Sequence, residues 1–300
     1  MSLKQSVLAT MKSRDTESDF ELYVTRTPGY LWALLFKGLH VHPIAVTLMS
    51  IVIGAASGYF FYSDDLRMNA IGMFLLVWAN WYDCADGQLA RMTNQRTLIG
   101  RILDGFAGDV WFFCIYLAIV LRLYPEWGYY IWLLAAWAGL YCHTRQCALA
   151  DYYRNVHLWA ALGHPGSELD SSLEQEAKFK SLKWLSSSWF EKLYLFFYVR
   201  YTRRQERQTP AFQRLRPLLA SLSADAPLRQ DFRQDSLPLM PLCNILTFDT
   251  RVGVLFVSLL AGHPWAYFVF EAVVLEAVRF YTRHRHEKFC CKYYQILSAL

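Results

Sequence analysis

The sequence predicts an all-α integral membrane protein with six transmembrane helices, an N-terminal amphipathic helix at the interface and a cytoplasmic insertion between spans 4 and 5. Three observations carry this. Hydrophobic residues make up 55% of the 300-residue chain and charged residues only 18%, below the quarter usual for soluble domains. The apolar residues gather into blocks, beginning with the uncharged run His42 to Tyr62, close to the ~20 residues a helix needs to cross hydrocarbon. The basic residues alternate with those blocks. Of thirty Lys and Arg, only Arg67 and Arg122 fall in the segments joining spans 1–2 and 3–4. The positive-inside rule makes the other side cytoplasmic.

Residues 1–41 precede the first span. Phe20 to Leu39 mixes aromatic, aliphatic and scattered charged residues, the composition of a helix lying at the interface. No cleavable leader is evident in the polar first 28 residues, so the first span itself directs insertion. Residues 42–155 hold four spans, His42–Tyr62, Met68–Tyr82, Val110–Leu121 and Tyr129–Cys142. Residues 241–300 hold Val252–Gly262, Trp265–Phe270 and a basic tail. Several blocks reach full length only by taking in acids at one end.

Between them, residues 156–240 form the polar insertion. Trp184, Trp189, Phe190, Leu193, Phe196 and Phe197 are followed by Arg200, Arg203, Arg204 and Arg207. That order fits a membrane-surface helix with a basic end, and equally a cytoplasmic subdomain packing on itself. The net charge of +5 suits a face turned toward anionic headgroups, with no nucleic acid as partner. The seven cysteines read as packing residues. Cys142-His143 with Cys147 lacks the second pair that zinc spacing needs.

Acids inside spans cost ~2.5 kcal/mol or more each, so their presence needs a reason. Asp83, Asp86, Asp104 and Asp109 sit at the cytoplasmic ends of spans 2 and 3. Asp83 and Asp86 are three residues apart and share a helix face, continued by Gly87 and Ala90. A short loop makes the two helices antiparallel, so the carboxylates converge at one depth. Clustered carboxylates repel unless a cation joins them, and an all-oxygen set favours Mg²⁺, Mn²⁺ or Ca²⁺ over zinc. A metal pair would clamp a diphosphate. Gly87, Ala90 and Gly100 let phosphate approach backbone, and Arg91 offers a planar donor fork. Asn80, one turn before Asp83, is placed to read a base or to cap the polar stripe. Glu271 and Glu276 in span 6 do not share a face and read as interior pairing residues.

These residues carry a resemblance. DCADGQLAR, eight residues, Gly100, three residues and Asp104 resemble the signature of the CDP-alcohol phosphotransferase family, D-x2-D-G-x2-A-R-x8-G-x3-D-x3-D. Upstream, HPIAVTLMSIVIG is similar to the family's first span, which often opens P-N-x-x-T; Pro43 and Thr47 match, while Ile44 holds the Asn position. The resemblance covers about residues 40–155. It implies a six-span core, usually dimeric, that displaces CMP from a CDP-linked donor with an alcohol. It implies Asp83, Asp86 and Asp104 as ligands of Mg²⁺ or Mn²⁺, and Gly87, Ala90, Arg91 and Gly100 along the nucleotide diphosphate. The family's last aspartate ligates metal and serves as general base. Here that position holds Gly108, and the nearest acid is Asp109. A regular helix turns Asp109 about 100° from the family's direction. A single π-bulge near Gly105 or Gly108 would absorb the extra residue, and we expect one, with Asp109 as base and fourth ligand.

Two family arrangements exist, CDP-diacylglycerol with a water-soluble alcohol, or a CDP-aminoalcohol with diacylglycerol. YCHTRQCALADYYR is similar to the arginine-bearing fourth-span end of members that accept a polyol phosphate such as inositol phosphate. Arg101, Arg145 and Arg154 would face such an anion, and they equally satisfy the positive-inside pattern. The expected reading is a CDP-diacylglycerol donor and a polyol or polyol-phosphate acceptor, in a bacterial inner membrane or its equivalent. Its rivals are the CDP-aminoalcohol arrangement, a cation-coupled transporter and an inactive homologue.

Overall fold

Short capping segments cut the apolar sequence into its helices. The computed structural model describes residues 3–10, 13–162, 169–183, 189–223 and 226–299, and every regular element among them is helical. In chain order these are α1 (Leu3–Ala9), a π-helical stretch (Glu21–Arg26), α2 (Thr27–Gly38), α3 (Pro43–Phe61), α4 (Leu66–Thr93) and α5 (Leu98–Trp127). Next come α6 (Tyr129–Ala136), a second π stretch (Trp137–His143), α7 (Thr144–Leu162), α8 (Ser172–Ser181), α9 (Trp189–Gln208) and α10 (Pro210–Ala220). The chain closes with α11 (Pro227–Ser236), a 3₁₀ turn (Leu237–Leu239), α12 (Met240–Ile245), α13 (Phe248–Leu260), α14 (Trp265–Phe270), a third π stretch (Glu271–Leu275) and α15 (Glu276–Ser298).

Local chemistry sets the boundaries that matter for the site. His42 caps α3 by accepting from the Ile44 amide at 3.2 Å, with Pro43 at the first helical position. Asp65 caps α4 by accepting from the Arg67 amide at 2.8 Å. Asn94, at φ 54°, ends α4 in the left-handed region, and Thr97 restarts the chain as α5 by accepting from the Gly100 amide at 3.0 Å. Only four residues, 94–97, separate the two helices.

Among the described residues three stretches are long and apolar enough to cross a membrane, Pro43–Phe61, Leu98–Trp127 and Pro227–Leu260. The sequence predicts six. The remaining long helices mix apolar residues with Asn, Gln, Asp and Arg, and by length and composition they stand outside this set.

The chain divides into two units, Met1–Thr144 with Phe248–Val274, and Arg145–Thr247 with Leu275–Leu300. In the first, α3 packs along both α4 and α5. The Trp111 indole donates to the Ser50 carbonyl at 3.0 Å and lies against Gly54, where a Cβ would come within 2.3 Å of the ring. Phe61, Leu76, Ile115, Ile119, Leu255 and Tyr267 fill the core behind it.

Within that core lies a charged knot. Glu271 is fully buried and accepts from Arg251, Tyr116 and, at 2.7 Å, Tyr267; His143 stands 3.0 Å from Arg251 and 3.3 Å from Glu271. The pairing read for Glu271 from sequence thus has Arg251 as its partner. Removing one member of a buried pair leaves the other charge uncompensated, at ~3–5 kcal/mol. Arg251→Met alone is therefore expected to lower the thermal midpoint in detergent by more than Arg251→Met with Glu271→Leu. Additive losses in the double variant would contradict that coupling.

The second unit has its own core. Tyr153 stacks on His286 at 3.8 Å, and Phe232 meets Phe289 and Tyr293 edge-on. Arg229 is buried and donates to the carbonyls of Ser223, Ala160, Leu219 and Leu222, so one side chain ties the end of α10 to α7. In α9, Leu195, Val199 and Thr202 point inward while Arg203 pairs with Glu176 of α8 and Tyr198 donates to Asp170. Trp189 and Phe197 remain exposed. Trp184 and the side chain of Phe190 lie outside the described residues.

Candidate metal centre

The four-residue link between α4 and α5 brings two stretches of acids to one place. Asp83 and Asp86 come from α4 and Asp104 from α5, and one oxygen of each lies within 4.8 Å of the others. Asp86 is 4% exposed, Asp83 half-buried and Asp104 exposed, so the group is closed on one side and open on the other. Asp83 Oδ1 and Asp86 Oδ2 are buried with no hydrogen-bond partner, an expensive arrangement for carboxylates. Like charges ~4 Å apart repel by ~4 kcal/mol at an effective dielectric of 20. Unpartnered buried oxygens and an all-carboxylate donor set fit a hard divalent cation such as Mg²⁺ or Mn²⁺.

Small and cationic groups surround the carboxylates. Arg91 lies one turn beyond Gly87, near enough that a Cβ on the glycine would touch the guanidinium at 3.4 Å, and its Nε is buried without a partner. Arg26 and Arg96 lie close enough for their charges to act on Arg91. Gly100 sits in the first turn of α5 under the Thr97 hydroxyl. Gly105 and Gly108 face open space, with no heavy atom within 4 Å of a Cβ built on either. The flank of α5 beside Asp104 is therefore clear.

Sequence reasoning missed Arg26. Instead of standing apart, the N-terminal segment lies along α4. Trp81 donates to the Val24 carbonyl at 2.9 Å, Gln88 to the Arg26 carbonyl at 3.1 Å, and Asn80 to the Thr25 hydroxyl at 3.5 Å. Gly29 permits this: a Cβ there would come within 2.7 Å of the Cys84 side chain. Arg26 pairs with Glu17 at 2.9 Å and Glu21 at 3.6 Å, and its charge acts on Asp83. No local pattern signals this, because the partners are some sixty residues away in sequence.

The bulge expected between Asp104 and Asp109 is absent, since α5 is a regular α-helix from Leu98 to Trp127. Five residues of regular helix turn Asp109 about 140° from Asp104, and Asp109 is not in the carboxylate group. Gly105 and Gly108 make distortion cheap, but nothing packed against them imposes it. Of the arginines assigned to the acceptor, Arg101 is exposed in the first unit, while Arg145 and Arg154 belong to the second. Arg154 donates to Asn244 and, at 3.4 Å, to Thr247, both neutral partners.

Residues 40–161 match the family model described as CDP-alcohol phosphatidyltransferase. Searches of curated proteins and of solved structures returned no match.

Proposed function

We propose, for a chain that belongs through residues 40–161 to the CDP-alcohol phosphatidyltransferases and is a transferase of substituted phosphate groups, that it moves the phosphatidyl group of CDP-diacylglycerol onto a polyol or polyol phosphate. The observation that carries this is the convergence of Asp83, Asp86 and Asp104 beside Gly87 and Arg91, at the matched family spacing. The rest of the proposal is six spans, the site on the cytoplasmic face and a homodimer.

Asp83, Asp86 and Asp104 would hold Mg²⁺ or Mn²⁺. When bound, a pair of such ions neutralises the diphosphate and stabilises the attacking and leaving oxygens. Gly87, Ala90 and Gly100 leave backbone open to the diphosphate. Arg91, with Arg26 and Arg96 near it, balances the phosphate charge, and Asn80 is placed one turn away for the cytosine. Arg101, Arg145 and Arg154 are assigned to an anionic acceptor.

The reaction is a displacement at phosphorus. The acceptor oxygen forms a bond to the phosphorus bearing diacylglycerol, the bond to the CMP oxygen breaks, and CMP leaves with the electron pair. The acceptor's proton needs a carboxylate. Asp104 is the exposed member of the group, beside the clear flank of α5, and we assign the proton to it rather than to Asp109. Asp109→Asn is accordingly expected to keep turnover within about threefold, where loss of a general base costs roughly 10²-fold or more. A loss of that size would mean that α5 rewinds when substrates bind.

Purified protein with radiolabelled CDP-diacylglycerol and a panel of alcohols and phosphorylated polyols tests the reading. Acceptor-dependent CMP release is expected. Release only from a CDP-aminoalcohol with diacylglycerol would reverse the donor assignment.

A further inference from the structure

The second unit holds a cavity of ≈ 550 Å³ lined by Asp235, Leu239, Arg285, Lys288, Phe289 and Lys292. Its three cations recur at i, i+3 and i+7 on α15, which sets them along one face. Lys292 is neutralised by Asp235 at 2.9 Å, and Tyr293 donates to the same carboxylate at 3.0 Å. Arg285 and Lys288 have no acid within ion-pair distance among the described residues. Arg285 only donates to the neutral Tyr281 hydroxyl at 3.0 Å. Leu239, buried, and Phe289, half-buried, supply an apolar wall.

A solvated basic face explains cations spread along a helix. It does not explain two uncompensated cations set around a hollow with an aliphatic and an aromatic wall. That combination suits an amphiphile with an anionic head.

We infer that this cavity binds the phosphate headgroup of an anionic phospholipid, with Arg285 and Lys288 on the phosphate and Leu239 and Phe289 against the glycerol and first methylenes. The site belongs to α15 and α11–α12, uses none of the residues assigned to transfer, and stands whether or not the proposed donor is correct.

Native mass spectrometry of the full chain in detergent tests it, with dioleoylphosphatidylglycerol, dioleoylphosphatidylcholine and inorganic phosphate titrated separately. Wild-type protein is expected to retain one phosphatidylglycerol at concentrations where phosphatidylcholine does not bind. Arg285→Gln with Lys288→Gln is expected to weaken that adduct roughly tenfold or more, and Lys288→Glu alone to weaken it as well. Arg200→Gln with Arg204→Gln, the same charge loss at exposed positions of α9, is expected to leave it intact. CMP release by the Arg285/Lys288 variant is expected to match wild type. Equal binding of the two lipids, equal loss in the α9 control, or displacement by millimolar inorganic phosphate would overturn the inference. So would a parallel loss of CMP release.

Discussion

Asp86→Ala is expected to cut CMP release by roughly 10²-fold or more while the protein becomes no less stable in the absence of metal. Asp86 is the most buried of the three converging carboxylates, and its Oδ2 has no protein partner. A buried carboxylate with one oxygen unpartnered, beside two others, is a liability to the fold, so alanine there removes repulsion and desolvation cost together. It also removes one arm of the proposed metal clamp, which would offset the charge of the diphosphate. Kinetics and thermal midpoint measured on one preparation separate the two effects. Activity falling together with a collapsing midpoint would mean that Asp86 acts as a structural residue. Asp83→Ala and Asp104→Ala are expected to lose turnover similarly, with a smaller change in midpoint for Asp104, whose side chain is exposed.

Removal of divalent metal is expected to be at least as damaging. With EDTA, CMP release should fall to background, and Mg²⁺ or Mn²⁺ should restore it. A diphosphate approaching three unshielded carboxylates meets several repulsions of ~4 kcal/mol each at 4 Å and an effective dielectric of 20. The same ion should raise the thermal midpoint of the wild type, because a ligand that binds only the folded state stabilises it by mass action. That rise should vanish in Asp86→Ala. Full activity in chelator would remove the role assigned to the cluster.

The carboxylate cluster was legible because its determinants are local. Asp83 and Asp86 sit three apart on one helix, and the Asn94–Thr97 link is too short for α5 to go anywhere but back along the bundle. The helical, apolar character was legible for the same reason, in the unbroken run that became α3. What composition could not settle was how many of the mixed helices cross the membrane. Among the described residues three stretches meet the length and hydropathy of a span, while α4 carries the site's own polar residues.

Two features stayed hidden because they depend on contacts or on helical phase. The docking of Thr25, Arg26 and Gly29 on Asn80, Trp81 and Gln88 has no periodic trace in the sequence. The displaced Asp109 was visible as a one-residue shift, but its outcome rested on whether α5 would bulge. A bulge sacrifices regular hydrogen bonds, and the open space around Gly105 and Gly108 offers no packing in exchange.

The central claim is that Asp83, Asp86 and Asp104 hold the divalent ion on which CMP displacement depends. Manganese binding followed by electron paramagnetic resonance, beside CMP release over the same Mn²⁺ range, tests it most directly. The two curves should rise together in wild-type protein, and both should be lost in Asp86→Ala. Undiminished Mn²⁺ binding in that variant, or CMP release that ignores Mn²⁺ occupancy, would contradict it.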